Sequence, residues 1–107
     1  MKQRVWLSYD LGVKGDYEGI YSWLDSYKAD ECGDSFATFV FNYESDVVSE
    51  LRTEIEKNIE IRKRDRVYLV FKNEDGKTVG KFLFGNRKAA PWVGYAGHKV
   101  EDEDDTF

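Results

Sequence analysis

Asp10 is the residue whose neighbours best equip it for chemistry. It closes an apolar run, Arg4-Val-Trp-Leu-Ser-Tyr-Asp-Leu, that breaks at Gly12. A strand-end carboxylate ahead of a glycine-containing loop can ligate Mg²⁺ through oxygen, and this ion commonly uses one or two carboxylates while keeping several waters. Held against a phosphate oxygen, the ion would stabilise charge as it develops during phosphodiester cleavage. One Asp makes a thin site, and a two-fold dimer would supply the second carboxylate. The structural alternative is that Asp10 turns the chain before Gly12, a frequent role for Asp at strand ends.

The loop Gly12-Val13-Lys14-Gly15 has the GxxG form that lets backbone N–H groups approach a phosphate ahead of a helix. Lys14 would add a point charge there, whereas Asp16 would repel an anion and is better explained as a helix cap. A second set of cations lies further along the chain: Arg62, Lys63, Arg64 and Arg66, with Lys81, Arg87, Lys88 and Lys99. Gathered on one surface they would neutralise several phosphates of RNA or DNA, with binding that weakens steeply as salt rises. The competing role is to hold the acidic end of the chain, Glu101 to Asp105, which imitates a polyanion.

Charge is segregated along the sequence. Residues 1–61 carry six Lys/Arg against thirteen Asp/Glu, residues 62–99 carry ten against three, and residues 100–107 carry five acids and no base, for a net charge of −5. Such asymmetry marks a nucleic-acid or acidic-protein contact, or two halves that complement each other in a fold or dimer. Cys32 is the single cysteine, so no intrachain disulfide can form, which fits a reducing cytoplasm. His98 has no partner at metal-ligand or acid–base spacing. No Ser-His-Asp, paired-Cys or Walker pattern occurs, which ranks nucleophilic catalysis, structural zinc and nucleoside triphosphate hydrolysis low. Lys2 and Arg4 lead into a strand-like run and not into a signal peptide's apolar segment, and no apolar run approaches the roughly 20 residues needed to cross a bilayer. No membrane association is expected.

These residues must be positioned by a single domain of 107 residues, 41% hydrophobic, with seven Phe, seven Tyr and three Trp to build one core. Residues 4–11 alternate Val5, Leu7 and Tyr9 with Trp6, Ser8 and Asp10, the period of a strand. Asp16 caps a helix running to about Lys28, with Tyr17, Ile20, Leu24 and Tyr27 as its buried stripe and Trp23 flanking it. Ala29 to Cys32 reads as a short strand, Gly33-Asp34 as a two-residue turn, and Ser35 to Asn42, apolar on both faces, as a central strand. Ser45 caps a second helix whose Val48, Leu51, Ile55 and Ile59 recur at the core-facing interval. Arg66 to Lys72 and Thr78 to Gly85 form a hairpin across Asn73-Glu-Asp-Gly-Lys77.

The order β-α-β-β-α-β plus one strand predicts an α+β fold. The expected form is a ferredoxin-like βαββαβ antiparallel sheet with two helices on one face and one appended C-terminal strand. Residues 1–99 make that domain, irregular from about residue 86, and residues 100–107 an acidic tail expected to be mobile. The open sheet face would present Trp6, Tyr68 and Val70. From the last strand it would present either Phe82 and Phe84 or Val79, Lys81 and Leu83. Aromatics so displayed stack on single-stranded bases or, the preferred reading, form a dry dimer interface.

The Leu7-Ser8-Tyr9-Asp10-Leu11 strand, the helix with Tyr17 and Leu24, the strand Phe36 to Phe41 and the helix after Ser45 resemble the Cas2-like family. That family includes CRISPR-associated Cas2 and related toxin–antitoxin proteins, and the likeness spans about residues 4–72. It implies a homodimer through the sheet and, for some members, a metal-dependent nuclease whose essential Asp matches Asp10. Other members imply a structural nucleic-acid adaptor, or a non-catalytic module such as an antitoxin or inhibitor with a protein partner. Gly12-Val13-Lys14-Gly15 in place of a basic loop, the acidic total charge, the extra strand and the Trp92 segment depart from the nuclease pattern.

Overall fold

Alternation of buried and more exposed residues is clear in Lys2–Asp10 and Arg66–Lys72, and the computed structural model, which describes residues 1–97, assembles five strands into one antiparallel sheet. In chain order the elements are β1 (Lys2–Asp10), α1 (Tyr17–Ser26), β2 (Asp30–Gly33), β3 (Phe36–Asn42), α2 (Val47–Asn58), β4 (Arg66–Lys72) and β5 (Thr78–Phe84). The sheet order is β2-β3-β1-β4-β5, with every neighbouring pair antiparallel. β1 therefore runs down the centre, and β2 and β5 are the edges. The expectations for His98, Lys99 and the acidic tail lie outside the described residues.

The period of two sends Val5, Leu7 and Tyr9, Ala37, Phe39 and Phe41, and Val67, Leu69 and Phe71 to one face. There they form a single core with Ile20, Trp23 and Leu24 of α1 and Val47, Leu51 and Ile55 of α2. Trp23 sits inside this core, not beside it. Its ring meets Phe39 edge-on at 5.5 Å and Tyr27 at 5.1 Å. Among the described residues the other face carries no helix, and it displays β1's Trp6, Ser8 and Asp10.

Several element ends differ from the sequence expectation, each for a local reason. The N-cap of α2 is Asp46, whose carboxylate accepts the Ser49 N–H at 3.0 Å, and Ser45 lies one residue outside. That one-residue shift makes Val47 the first core residue and leaves Val48 half-buried. The β2–β3 turn falls on Asp34-Ser35, with Ser35 in the left-handed region (φ 62°) and a register shift between Glu31 and Gly33.

β5 follows neither of the two expected alternations. Val67 pairs with Phe84 while its neighbour Tyr68 pairs with Phe82, which leaves Leu83 as the extra residue of a β-bulge. Leu83 and Phe84 consequently both turn toward the core side, where the Arg52 guanidinium of α2 lies 4.9 Å from the Phe84 ring centre. Phe82 remains opposite Tyr68. Among the described residues no helix is long and apolar enough to cross a membrane.

Candidate functional site

Three loops and strand ends meet at one end of the sheet: the β1–α1 loop, the α2–β4 loop and the chain leaving β5. The first is a tight turn, with the Gly15 N–H donating to the Gly12 carbonyl at 2.8 Å. The second closes between Arg62 and Asp65, whose N–H donates to the Arg62 carbonyl at 3.0 Å and leaves Lys63 and Arg64 exposed at the tip. The third begins at Gly85, with φ +80°.

Asp65 ties the first two loops together. Only 2% of it is exposed, and its Oδ1 accepts the Gly12 N–H at 3.1 Å while Oδ2 accepts the Arg62 N–H at 2.8 Å. A buried carboxylate needs such donors, and here both come from backbone. Asp16 makes a second brace. It accepts from the Gly19 N–H of α1 and from the Glu60 N–H beyond α2, each at 2.9 Å, and these amides hold its carboxyl below the usual range. Of the GxxG loop, the Gly12 amide is thus engaged by Asp65 and the Gly15 amide by the Gly12 carbonyl, and the Gly19 amide at the start of α1 is taken by Asp16.

What this frame gathers is side-chain charge. Lys14, Arg62, Lys63 and Arg64 line one depression with Gly12 to Gly15, and Lys63, Arg64, Arg66, Arg87 and Lys88 line the adjoining one. Seven of the nine cations expected to contact nucleic acid therefore come together, although they are spread from residue 14 to residue 88; Lys81 pairs with Leu69 and lines neither depression, and Lys99 lies outside the described residues. Two of them are engaged by carboxylates: Arg62 with Glu60 at 3.5 Å, and Arg66 with Asp10 at 2.7 Å.

Asp10 stands at the rim of the open face, opposite Arg66 of β4. Arg66 donates to it twice, from Nη2 at 2.7 Å and from Nε at 3.2 Å, and both bonds end on Oδ2. The depression it borders is lined by Ser8, Asp10, Arg66, Tyr68, Phe82 and Arg87. Its cations outnumber its carboxylate. Within one copy Asp10 is the one carboxylate lining this depression, and two guanidiniums, Arg66 and Arg87, line it as well. Among the described residues no group of three or more His, Cys, Asp or Glu is placed to hold an ion.

The residues expected at an interface share the open face. Trp6 is flanked across the strands by Thr38 and Val70, and Ser8 by Phe36 and Tyr68. Tyr68 and Phe82 form an edge-to-face pair with centres 4.7 Å apart, and the Arg87 guanidinium lies 5.7 Å and 5.4 Å from the two ring centres. Sequence reasoning treated Arg87 only as a charge and passed over Asp65 and Ser8. The available signal for Asp65 was its place as the one acid inside Arg62-Lys-Arg-Asp-Arg66, three residues after the amide it accepts. Comparison of the chain with protein-family models, with curated proteins and with solved structures finds no match in any of the three.

Proposed function

We propose that this protein binds nucleic acid through its phosphates, as a non-catalytic module, at the end of the sheet where Lys14, Arg62, Lys63, Arg64, Arg66, Arg87 and Lys88 converge. The convergence itself carries the reading. Cations from three separate stretches of chain line two contiguous depressions, and the buried Asp65 carboxylate joins the two loops that carry Lys14 and Arg62 to Arg64. A polyanion neutralised by such a set releases its counterions, which supplies affinity without sequence preference. The first four strands, in the order β2-β3-β1-β4, suit a ferredoxin-like split βαβ unit with β5 appended, in keeping with the Cas2-like resemblance. A single free cysteine suits a cytoplasmic setting.

The test is a salt series on RNA and DNA oligonucleotides, with wild type and Lys63→Ala/Arg64→Ala. The wild-type logarithmic slope is steep, and the double variant is shallower by about 1.4–1.8, since each lost contact removes about 0.7–0.9. Affinity indifferent to salt, or a slope the double variant leaves unchanged, rejects phosphate binding at this end.

A second reading, a homodimer through the open face, is favoured by the exposure of Trp6 (36%) and Val40 (41%) amid Val70 and Phe36. Apolar area of this kind is seldom left in water. Sedimentation of wild type at micromolar concentration is expected to give a dimer, and of Trp6→Glu a monomer. A monomeric wild type removes the dimer.

A further inference from the structure

We infer that the depression between β1, β4 and β5 seats an unpaired nucleobase, which makes single-stranded nucleic acid, and not duplex, the ligand; the inference rests on the phosphate-binding reading above. The depression holds about 250 Å³ and has the three kinds of group that a base requires. Its aromatic floor is the Tyr68–Phe82 pair. Its planar cation is Arg87, which already stacks over both rings from the exposed segment after β5 and is free to lie on the outer face of an inserted base. Its polar rim is Ser8 and Asp10.

Asp10 is poised for this in a specific way. Because Arg66 binds Oδ2 alone, Oδ1 keeps its lone pairs without a protein donor among the described residues. A carboxylate oxygen accepts from the exocyclic amino group of cytosine, so bases bearing such a donor are preferred over those presenting only acceptors. Continuity with the phosphate track comes from Arg66 and Arg87, which line both this depression and the adjoining basic one. A base held in a duplex stack cannot reach the floor, because its faces are covered and its edge is paired.

Gly80 supplies a means of testing the floor without touching any charge. It pairs with Val70 on β4, and a Cβ at this position would collide with the end of the Tyr68 side chain, which lies across β5 there. Gly80→Ala therefore displaces the phenol ring and removes no charged group.

The experiment is a fluorescence-anisotropy titration at fixed salt of wild type, Gly80→Ala and Tyr68→Ala. The probes are oligo(dC) and oligo(C) of about twelve nucleotides, an abasic strand of the same length and the corresponding duplex. Wild type is expected to bind the pyrimidine strands about tenfold or more tighter than the abasic strand. Both variants are expected to lose that margin while holding the abasic strand as wild type does. The deoxy and ribo arms identify which backbone is accepted. Equal wild-type affinity for single-stranded, abasic and duplex probes overturns the base site while phosphate binding stands. No binding to any probe overturns both.

Discussion

At the residue scale, the decisive group is a carboxylate that contacts no ligand. Asp65 accepts one amide from the loop carrying Lys14 and one from the loop carrying Arg62, Lys63 and Arg64, so it sets the spacing between two groups of cations that repel each other. Asp65→Ala leaves two part-buried backbone donors without their carboxylate partner, which costs about 2 kcal/mol. Urea denaturation is expected to show that loss, with oligonucleotide affinity falling alongside it because the loops separate. An unchanged midpoint would mean that water reaches both amides. Asp65 was hidden in the sequence because a lone acid in a basic run reads as charge balance, and burial cannot be inferred from charge. Asp10 was legible as a strand end. Its engagement by Arg66 was not, since pairing β1 with β4 depends on a sheet order that no local pattern states.

At the element scale, the N-terminus of α2 shows how exposed groups can still register in stability. Glu50 accepts from the Glu44, Ser45 and Asp46 amides at 2.7–2.8 Å, and these three donors push its pKa down from 4.5 to about 2. Asp46 is also held below its ordinary value, chiefly by the Ser49 hydrogen bonds. A depressed folded-state pKa means stability that is fully present above the unfolded value and lost as pH falls through the folded one. Between pH 4.5 and about 2, wild type is therefore expected to lose stability more steeply than Glu50→Gln, whose amide does not titrate. Parallel curves in thermal melts across that range would remove Glu50 from the cap. The helix was legible from Leu51, Ile55 and Ile59 at their spacing. Its cap was displaced by one residue, because Ser45 and Asp46 are both good caps and only the backbone at Asp46 (φ −140°, ψ 111°) decides between them. The β5 bulge was illegible for a related reason: one inserted residue reverses the facing of everything beyond it, and no residue in Phe82-Leu-Phe84 announces it.

At the scale of the whole molecule, a chain of net charge −5 is asked to hold a polyanion, and the outcome depends on how far each charge is felt. The strand and helix count was visible in the sequence because the longer elements repeat a period and turn residues separate the rest. The charge segregation was visible too, but its gathering at one end required the loops to converge. Near physiological salt, charges more than about 8 Å apart are largely screened, so the ligand responds to the basic end alone. At about 0.01 M salt the screening length grows to about 30 Å, and the acids of the helices, including exposed Glu18 of α1 and Glu56 of α2, enter as repulsion. The plot of log affinity against log salt is therefore expected to bend over at low salt instead of rising steadily. Glu18→Gln/Glu56→Gln is expected to straighten it, raising affinity severalfold at about 0.01 M while leaving it within twofold at about 0.15 M. An equal gain at both concentrations would place those carboxylates against the ligand itself, and so move the binding surface from the sheet's basic end toward the helices.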